Sequence, residues 1–199
     1  MLAAVILSAG ESRRMGQPKA LLSCRGRTFI EHLIEVTRHP RVGVTRIVLG
    51  AGAEAIREHL RDNRVAAEPA AIVMNADWPR GQLSSIQCAV RSLPPGIEGL
   101  ILCPVDHPLI SADVVAKLIA AFDSSGNLIV LPTHNGRRGH PVIFRAPLYS
   151  ELLAASPAIG ARQVVWAHAD HLLEVPVEDE GVILNLNDPE ALDGAMKTR

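Results

Sequence analysis

Two glycines, two arginines and a lysine fall within one short stretch near the start of the chain, Leu7-Ser8-Ala9-Gly10-Glu11-Ser12-Arg13-Arg14-Met15-Gly16-Gln17-Pro18-Lys19. Glycine lets backbone N–H groups turn toward an anion, and arginine and lysine carry the charge to balance a triphosphate. The stretch fits neither common phosphate loop. Gly16 is followed by Gln17 instead of the Lys-Ser/Thr of a Walker loop, and Glu11-Ser12 interrupt any Gly-x-Gly-x-x-Gly run. Its residues alone describe a phosphate cradle and a basic surface loop equally well.

Four later segments carry polar groups in patterns that could do chemistry. Asp106 stands in Cys103-Pro104-Val105-Asp106-His107-Pro108, after an apolar run. One carboxylate at a strand end can hold Mg²⁺ together with phosphate oxygens, and a turn between prolines uses the same residue. In Asn185-Leu186-Asn187-Asp188-Pro189, strand alternation would put Asn185 and Asn187 on one side. Either the Asn187 amide oxygen or Asp188 could then complete a metal site with Asp106; Asn187 is the better candidate, and Asp188 reads first as the cap of a helix opened by Pro189. Between Asn75 and Ser85, the Ser84 and Ser85 hydroxyls at a helix start could meet a base or ribose, or only cap the helix. Gly136-Arg137-Arg138-Gly139-His140-Pro141 suits a second anionic ligand or a solvated hairpin tip.

The elements that must position these groups alternate. Ala3–Ser8, Thr45–Leu49, Ala71–Met74, Gly99–Cys103 and Leu128–Leu131 read as strands. Thr28–His39, Ala53–Asp62, Leu83–Ser92 and a helix capped by Ser111 and running to Phe122 read as helices between them. Beyond residue 130 come a turn-rich basic loop (Thr133–Gly139), a short strand (Pro141–Phe144), helices over Pro147–Ala155 and Ala161–His168, short strands over His171–Pro176 and Val182–Leu184, and a closing helix over Asp188–Met196. Strand–helix alternation predicts βαβ units and a parallel sheet covered on both faces, with ligands at the carboxyl ends of its strands.

Size and composition narrow the class. A chain of 199 residues suits a single α/β domain over 1–199. Hydrophobic residues are 48% and aromatics 3%, so aliphatic side chains must fill the core. A net charge of −1 gives no broad basic field for nucleic acid, and no nucleic-acid partner is expected. No apolar run approaches the roughly 20 residues of a membrane span, and the N-terminus lacks the pattern of a signal peptide. Cys24, Cys88 and Cys103 are odd in number and scattered, which predicts reduced thiols, a cytoplasmic location and no structural zinc.

Together the segments resemble a family. The opening loop looks like the Leu-Ala-Ala-Gly-x-Ser-x-Arg-Met-Gly-x-x-Lys signature of the molybdenum cofactor nucleotidyltransferases. Gly81-Gln82-Leu83-Ser84-Ser85, Pro104-Val105-Asp106-His107-Pro108, Arg138-Gly139-His140-Pro141 and Asn185-Leu186-Asn187-Asp188-Pro189 follow in that family's order, from Leu2 to about Leu192. The resemblance implies a Rossmann-like, three-layer, glycosyltransferase-A type nucleotidyltransferase fold with a mostly parallel central sheet. It implies transfer of a nucleotidyl group from a nucleoside triphosphate to a phosphorylated acceptor, with release of pyrophosphate. By position, Ser8, Ala9, Gly10, Gly81, Ser84 and Ser85 would bind the nucleoside, Arg14 and Lys19 the triphosphate, and Asp106 and Asn187 a Mg²⁺ for which Mn²⁺ could substitute. Arg138, Gly139 and His140 would border the acceptor. Arg14, Lys19 and Asp106 are the expected catalytic groups.

The similarity is nearest to the cytidylyltransferases of that family, which carry Ala-Gly where the guanylyltransferases carry Gly-Gly. The Ala9 methyl narrows the space beside the base and favours a pyrimidine, hence CTP, and the Arg-Gly-His-Pro segment also resembles the cytidylyltransferases, which implies molybdopterin as acceptor. Ser8, Gln82-Leu83 and Asp188 depart from the residues usual in the family, which have Ala, Met-Ser and Thr there. A molybdenum enzyme receiving the product is a further expected partner. Alternatives are a guanylyltransferase, a sugar-phosphate or other alcohol-phosphate nucleotidyltransferase, and a non-catalytic nucleotide-binding chaperone of a molybdenum enzyme. The residues show no Ser-His-Asp or Cys-His order. None is needed if the acceptor phosphate itself attacks the α-phosphorus.

Overall fold

The computed structural model of the chain describes residues 1–62 and 72–197. The first apolar run is β1 (Leu2–Ser8), buried at every residue. A small hairpin, β2 (Ser23–Cys24) with β3 (Arg27–Thr28), leads into α1 (Phe29–Val36). Thr28 is the cap rather than the first helical residue: its hydroxyl accepts from the Glu31 N–H, and the Glu31 carboxylate accepts from the Thr28 N–H in return. Then follow β4 (Val42–Leu49), α2 (Ala53–Asp62), β5 (Ile72–Met74), α3 (Gln82–Ser92), β6 (Gly99–Pro104) and α4 (Ala112–Ser124). Of the predicted third strand, Ala71 lies outside the described residues. The last part of the chain holds β7 (Ile129–His134), β8 (Arg137–Arg138), β9 (Val142–Arg145), α5 (Tyr149–Ala154), α6 (Arg162–Ala167), β10 (Leu172–Pro176) and α7 (Pro189–Lys197).

The sheet runs β10-β7-β9-β6-β1-β4-β5, with β8 paired to β7. The pairs β4–β5, β1–β4, β1–β6 and β7–β10 are parallel, while β9 runs antiparallel between β6 and β7. Side chains on alternate positions of β1 enter different layers. Leu2 and Ile6 pack with α1, α2 and α4 through Ile30, Leu33, Ile56, Leu118 and Phe122. Val5 and Leu7 pack with α3, α5 and α6 through Leu83, Ile86, Leu152 and Val164. This is the three-layer α/β arrangement with a mostly parallel sheet. The chain leaves β1 toward β4 and β5, then returns to β6 on the other side of β1. The strand order therefore reverses between β1 and β6, where a crevice opens at the carboxyl ends. No helix among the described residues is long and apolar enough to cross a membrane.

Three expectations need correction. The predicted strand Val182–Leu184 is absent: Glu180–Val182 form a 3-10 turn, in which the Asp179 carboxylate accepts from the Gly181 N–H. The basic loop Thr133–Gly139 is a hairpin: β8 pairs back on β7 across Asn135-Gly136, both at positive φ, which matches the twist of two-residue hairpins. The predicted helix Pro147–Ala155 opens with a 3-10 turn (Ala146–Leu148) before α5, because Pro147 fits a helical first turn but cannot donate within it.

Candidate functional site

A cleft of about 220 Å³ opens at the reversal of strand order. Its walls are the end of β1 and the following loop (Leu7, Ser8, Ala9, Gly10, Ser12, Lys19), the turn before α3 (Trp78, Gly81, Gln82, Ser85) and the end of β6 (Pro104, Val105, Asp106). Ala9 is held by its carbonyl, which accepts from the Ala51 N–H at 3.0 Å. A side chain at Gly10 would stand in open space, so what glycine provides at that position is room. Beside the cleft lies a shallow basin lined by Ser12, Arg13, Arg14, Lys19 and Asn187. Arg13 is ion-paired at 2.7 Å with Glu11 on an exposed surface.

Lys19 joins cleft and basin. The Ser12 hydroxyl accepts from its backbone N–H at 3.0 Å, and its ammonium donates to Oδ1 of Asn187. Burial lowers the Lys19 pKa, Asp106 works against that, Arg14 lowers it further, and Asp188 raises it. Asp106 is bound from the other side: Asn185 Nδ2 donates to its Oδ2 at 2.9 Å, and the Leu186 N–H donates to its carbonyl at 2.8 Å. The Leu186 side chain is buried with Leu22, Cys24 and Phe29, which anchors the middle of the Asn-Leu-Asn triplet under the site. Both asparagines thus reach the Lys19–Asp106 cluster without the strand alternation that the sequence reading invoked. Asp188 caps α7, accepting from the Ala191 N–H at 2.9 Å.

Ser84 and Ser85 divide. Ser84 is turned into the protein, donating toward the carbonyls of Asp77 at 2.9 Å and Gly81 at 2.8 Å and accepting from Asn75 Nδ2 at 2.9 Å. Ser85 also accepts from Asn75, at 3.0 Å, and lines the cleft. Buried Asn75 thereby ties the turn to the first residues of α3.

The segment at 138–140 is closely packed against residue 182. A Cβ on Gly139 would lie 2.4 Å from the Val182 carbonyl oxygen, and the His140 N–H donates to that oxygen at 2.8 Å. The His140 ring lies 4.7 Å from the ring of buried His107. Burial pushes the His140 pKa down to about 4, with His107 adding to the shift and Asp106 opposing it. The His107 pKa is also lowered, chiefly by burial. Arg138 points to the surface, paired with Glu174 at 2.7 Å. Neither cleft nor basin is lined by these three residues.

Sequence reasoning missed Asn185 as a partner of Asp106, and Trp78 and Gln82 as walls of the cleft. The signal for Asn185 was its place two residues before Asn187. That for Trp78 was one of only two tryptophans standing in a polar loop. Among the described residues no group of three or more His, Cys, Asp or Glu side chains could hold a metal ion. Asp106, at the cleft, and Asn187, at the basin, each carry a hard oxygen of the type taken by a cation that arrives with phosphate oxygens and keeps its waters.

Residues 4–172 match the MobA-like NTP transferase domain. A nicotine blue oxidoreductase from Paenarthrobacter nicotinovorans is 35% identical over 155 residues, 72% of this chain and 71% of that protein. The molybdenum cofactor cytidylyltransferase of Escherichia coli K12 is 26% identical, covering 94% of this chain and 91% of that protein. A molybdenum cofactor guanylyltransferase from Cereibacter sphaeroides is 30% identical, covering 94% and 92%. The crystal structure of the Mycobacterium sp. strain JC1 homolog of Mycobacterium tuberculosis rv0371c superposes with a TM-score of 0.80 at 23% identity, covering 100% of this chain and 98% of that one. With a crevice at the reversal of strand order, a basic loop after β1 and a match over most of its length, the chain belongs to the family of MobA-like NTP transferase domains and is a nucleotidyltransferase.

Proposed function

We propose that the cleft and basin bind CTP with Mg²⁺ and that the protein transfers CMP to the phosphate of molybdopterin, releasing pyrophosphate. The observation that carries this reading is the two hydrogen-bonded pairs Lys19–Asn187 and Asn185–Asp106, drawn from three distant segments and set between cleft and basin, with Asp106 electrostatically felt by Lys19. Arg14 and Lys19 balance the triphosphate, and the basin gives its outer phosphates a cationic floor. Asp106 and Asn187 would hold the cation, which when bound would offset charge on the phosphates. Lys19 then exchanges its hold on Asn187 for a phosphate oxygen. Ser8, Ala9, Gly10, Gly81 and Ser85 contact the nucleoside, with Ser84 supporting them through Asn75. The Ala9 methyl narrows the base side toward a pyrimidine. Arg138, Gly139 and His140 border the acceptor, Gly139 by letting the segment seat on Val182. The acceptor phosphate attacks the α-phosphorus, so no side chain serves as nucleophile.

The test is pyrophosphate release from CTP, GTP, ATP and UTP, with and without molybdopterin. CTP with molybdopterin is expected to be the productive pair, and Lys19→Ala and Asp106→Ala each to lower turnover about a hundredfold or more. Preference for GTP would overturn the argument from Ala9. Turnover with a sugar 1-phosphate but none with molybdopterin would overturn the acceptor. Nucleotide binding without pyrophosphate release would make the protein a binding module. The 35% identity to a protein named an oxidoreductase supports a second reading. It is checked by following the absorbance of nicotine blue, the compound in that protein's name, with and without an added reductant in the same preparation.

A further inference from the structure

We infer that Trp78 is the plate on which the nucleotide base stacks, an inference that rests on reading the cleft as a nucleoside triphosphate site. Trp78 lines the cleft beside Ala9, Gly10, Gln82 and Ser85, and belongs to none of the apolar clusters among the described residues. A large aromatic side chain that is left out of the core and faces a cleft has its ring available to a planar partner. Its seat is closely fitted. A Cβ on Gly50 would lie 2.7 Å from both Cβ and Cγ of Trp78 and 2.8 Å from the Ala9 carbonyl oxygen, so only glycine lets the indole rest against this backbone.

The backbone beneath the indole is also fixed. The Gly81 N–H donates to the Trp78 carbonyl at 3.1 Å, the Arg80 N–H to that of Asp77 at 2.9 Å, and the Asp77 N–H to Asn75 Oδ1 at 3.0 Å. Asn75 is in turn bonded to Ser84 and Ser85. The plate is therefore in place before a ligand arrives, which limits the ordering cost of binding.

Polarity orients the ligand. Arg13 and Arg14 line only the basin, Trp78, Gln82 and Ser85 line only the cleft, and Lys19 lines both. A triphosphate over the basin leaves its nucleoside on the Trp78 side. Stacking tolerates any base because each has a π-face, so Trp78 contributes affinity while the choice of base falls to other walls.

The experiment uses Trp166→Phe, which leaves Trp78 as the sole tryptophan; Trp166 is exposed on α6 and lines neither cleft nor basin. Tryptophan emission is titrated with CTP, GTP, CMP and inorganic tripolyphosphate, beside pyrophosphate release. Nucleotides are expected to quench the emission, and tripolyphosphate to leave it unchanged at concentrations that inhibit turnover. Trp78→Ala is expected to raise KM for the nucleotide about tenfold to a hundredfold with a much smaller change in kcat, and Trp78→Phe to recover most of the loss. Pyrophosphate release without quenching, or equal quenching by tripolyphosphate, overturns the inference and leaves the cleft reading standing. Loss of both release and quenching overturns the cleft reading and the inference with it.

Discussion

Lys19 stands among charges of both signs, with Arg14 on one side and Asp106 and Asp188 on the other, and its burial disfavours the charge it carries. Such a group is stable only while its partners are held in place, and the two asparagines do the holding. Asn185 bonds Asp106 and Asn187 bonds Lys19. Asn185 orients the carboxylate proposed to hold the metal, and groups that orient a metal's ligands shift metal affinity about tenfold to a hundredfold. Asn185→Ala is therefore expected to raise the Mg²⁺ concentration for half-maximal pyrophosphate release by about that factor, with thermal unfolding little changed. An unaltered Mg²⁺ dependence would remove Asn185 from the site. Gly139 gives a prediction of another kind. Alanine there must displace backbone of the 180–182 turn, so Gly139→Ala should lower stability by about 1–3 kcal/mol in urea unfolding. A neutral result would show that the turn gives way freely.

The elements that carried period and caps in their own sequence were the legible ones. β1 is apolar up to its last residue, Ser8, and β6 is apolar throughout, and each is buried at every residue. α4 was announced by Ser111, whose hydroxyl accepts from the Val114 N–H at 3.4 Å. Illegible were features set by distant partners. The run 136–141 admits a hairpin tip as one reading, but the pairing of β8 back on β7 is not legible there, and the turn at 180–182 depends on Asp179 together with the close approach of Gly181 to the Leu109 carbonyl. The C-terminus of α4 belongs to the same class. Arg145, at the end of β9, donates to the carbonyls of Phe122 at 2.8 Å, Ser125 at 3.0 Å and Asn127 at 3.1 Å, and its guanidinium lies 3.8 Å from the Phe122 ring centroid. No local rule couples residue 145 to that helix end. One cation there completes otherwise unpaired carbonyls and opposes the negative end of the helix dipole. Arg145→Met keeps the aliphatic stem and removes the donors. It should cost about 2 kcal/mol, read as a lower urea midpoint at unchanged slope. A midpoint equal to that of the parent protein would mean water replaces the guanidinium without penalty.

At the scale of the whole molecule, the site exists because the strand order reverses at β1 and gathers chain ends that sequence keeps apart. Asp106 and Asn185 are separated by 79 positions, yet share a hydrogen bond. Sequence could mark each segment, and resemblance could set them in order. Which atoms meet depends on the sheet. The His107–His140 contact is one such meeting, and the burial of both rings makes global stability depend on pH. Both imidazoles are held neutral chiefly by burial, His140 down to about 4. A histidine in the unfolded chain takes up its proton near pH 6.5, so its folded value lies below its unfolded one. Stability is then full above about pH 6.5 and is lost as pH falls toward 4, because over that window the unfolded chain binds a proton that the folded chain refuses. For His140 alone the loss between pH 7.5 and pH 5.0 is about 2 kcal/mol. His140→Leu removes that proton from the balance. Its urea-unfolding free energy should fall less steeply than that of the parent protein over this range, and the two curves should converge on the acid side. Parallel curves from pH 7.5 to 5.0 would mean that His140 is protonated as readily in the folded chain as in the unfolded one.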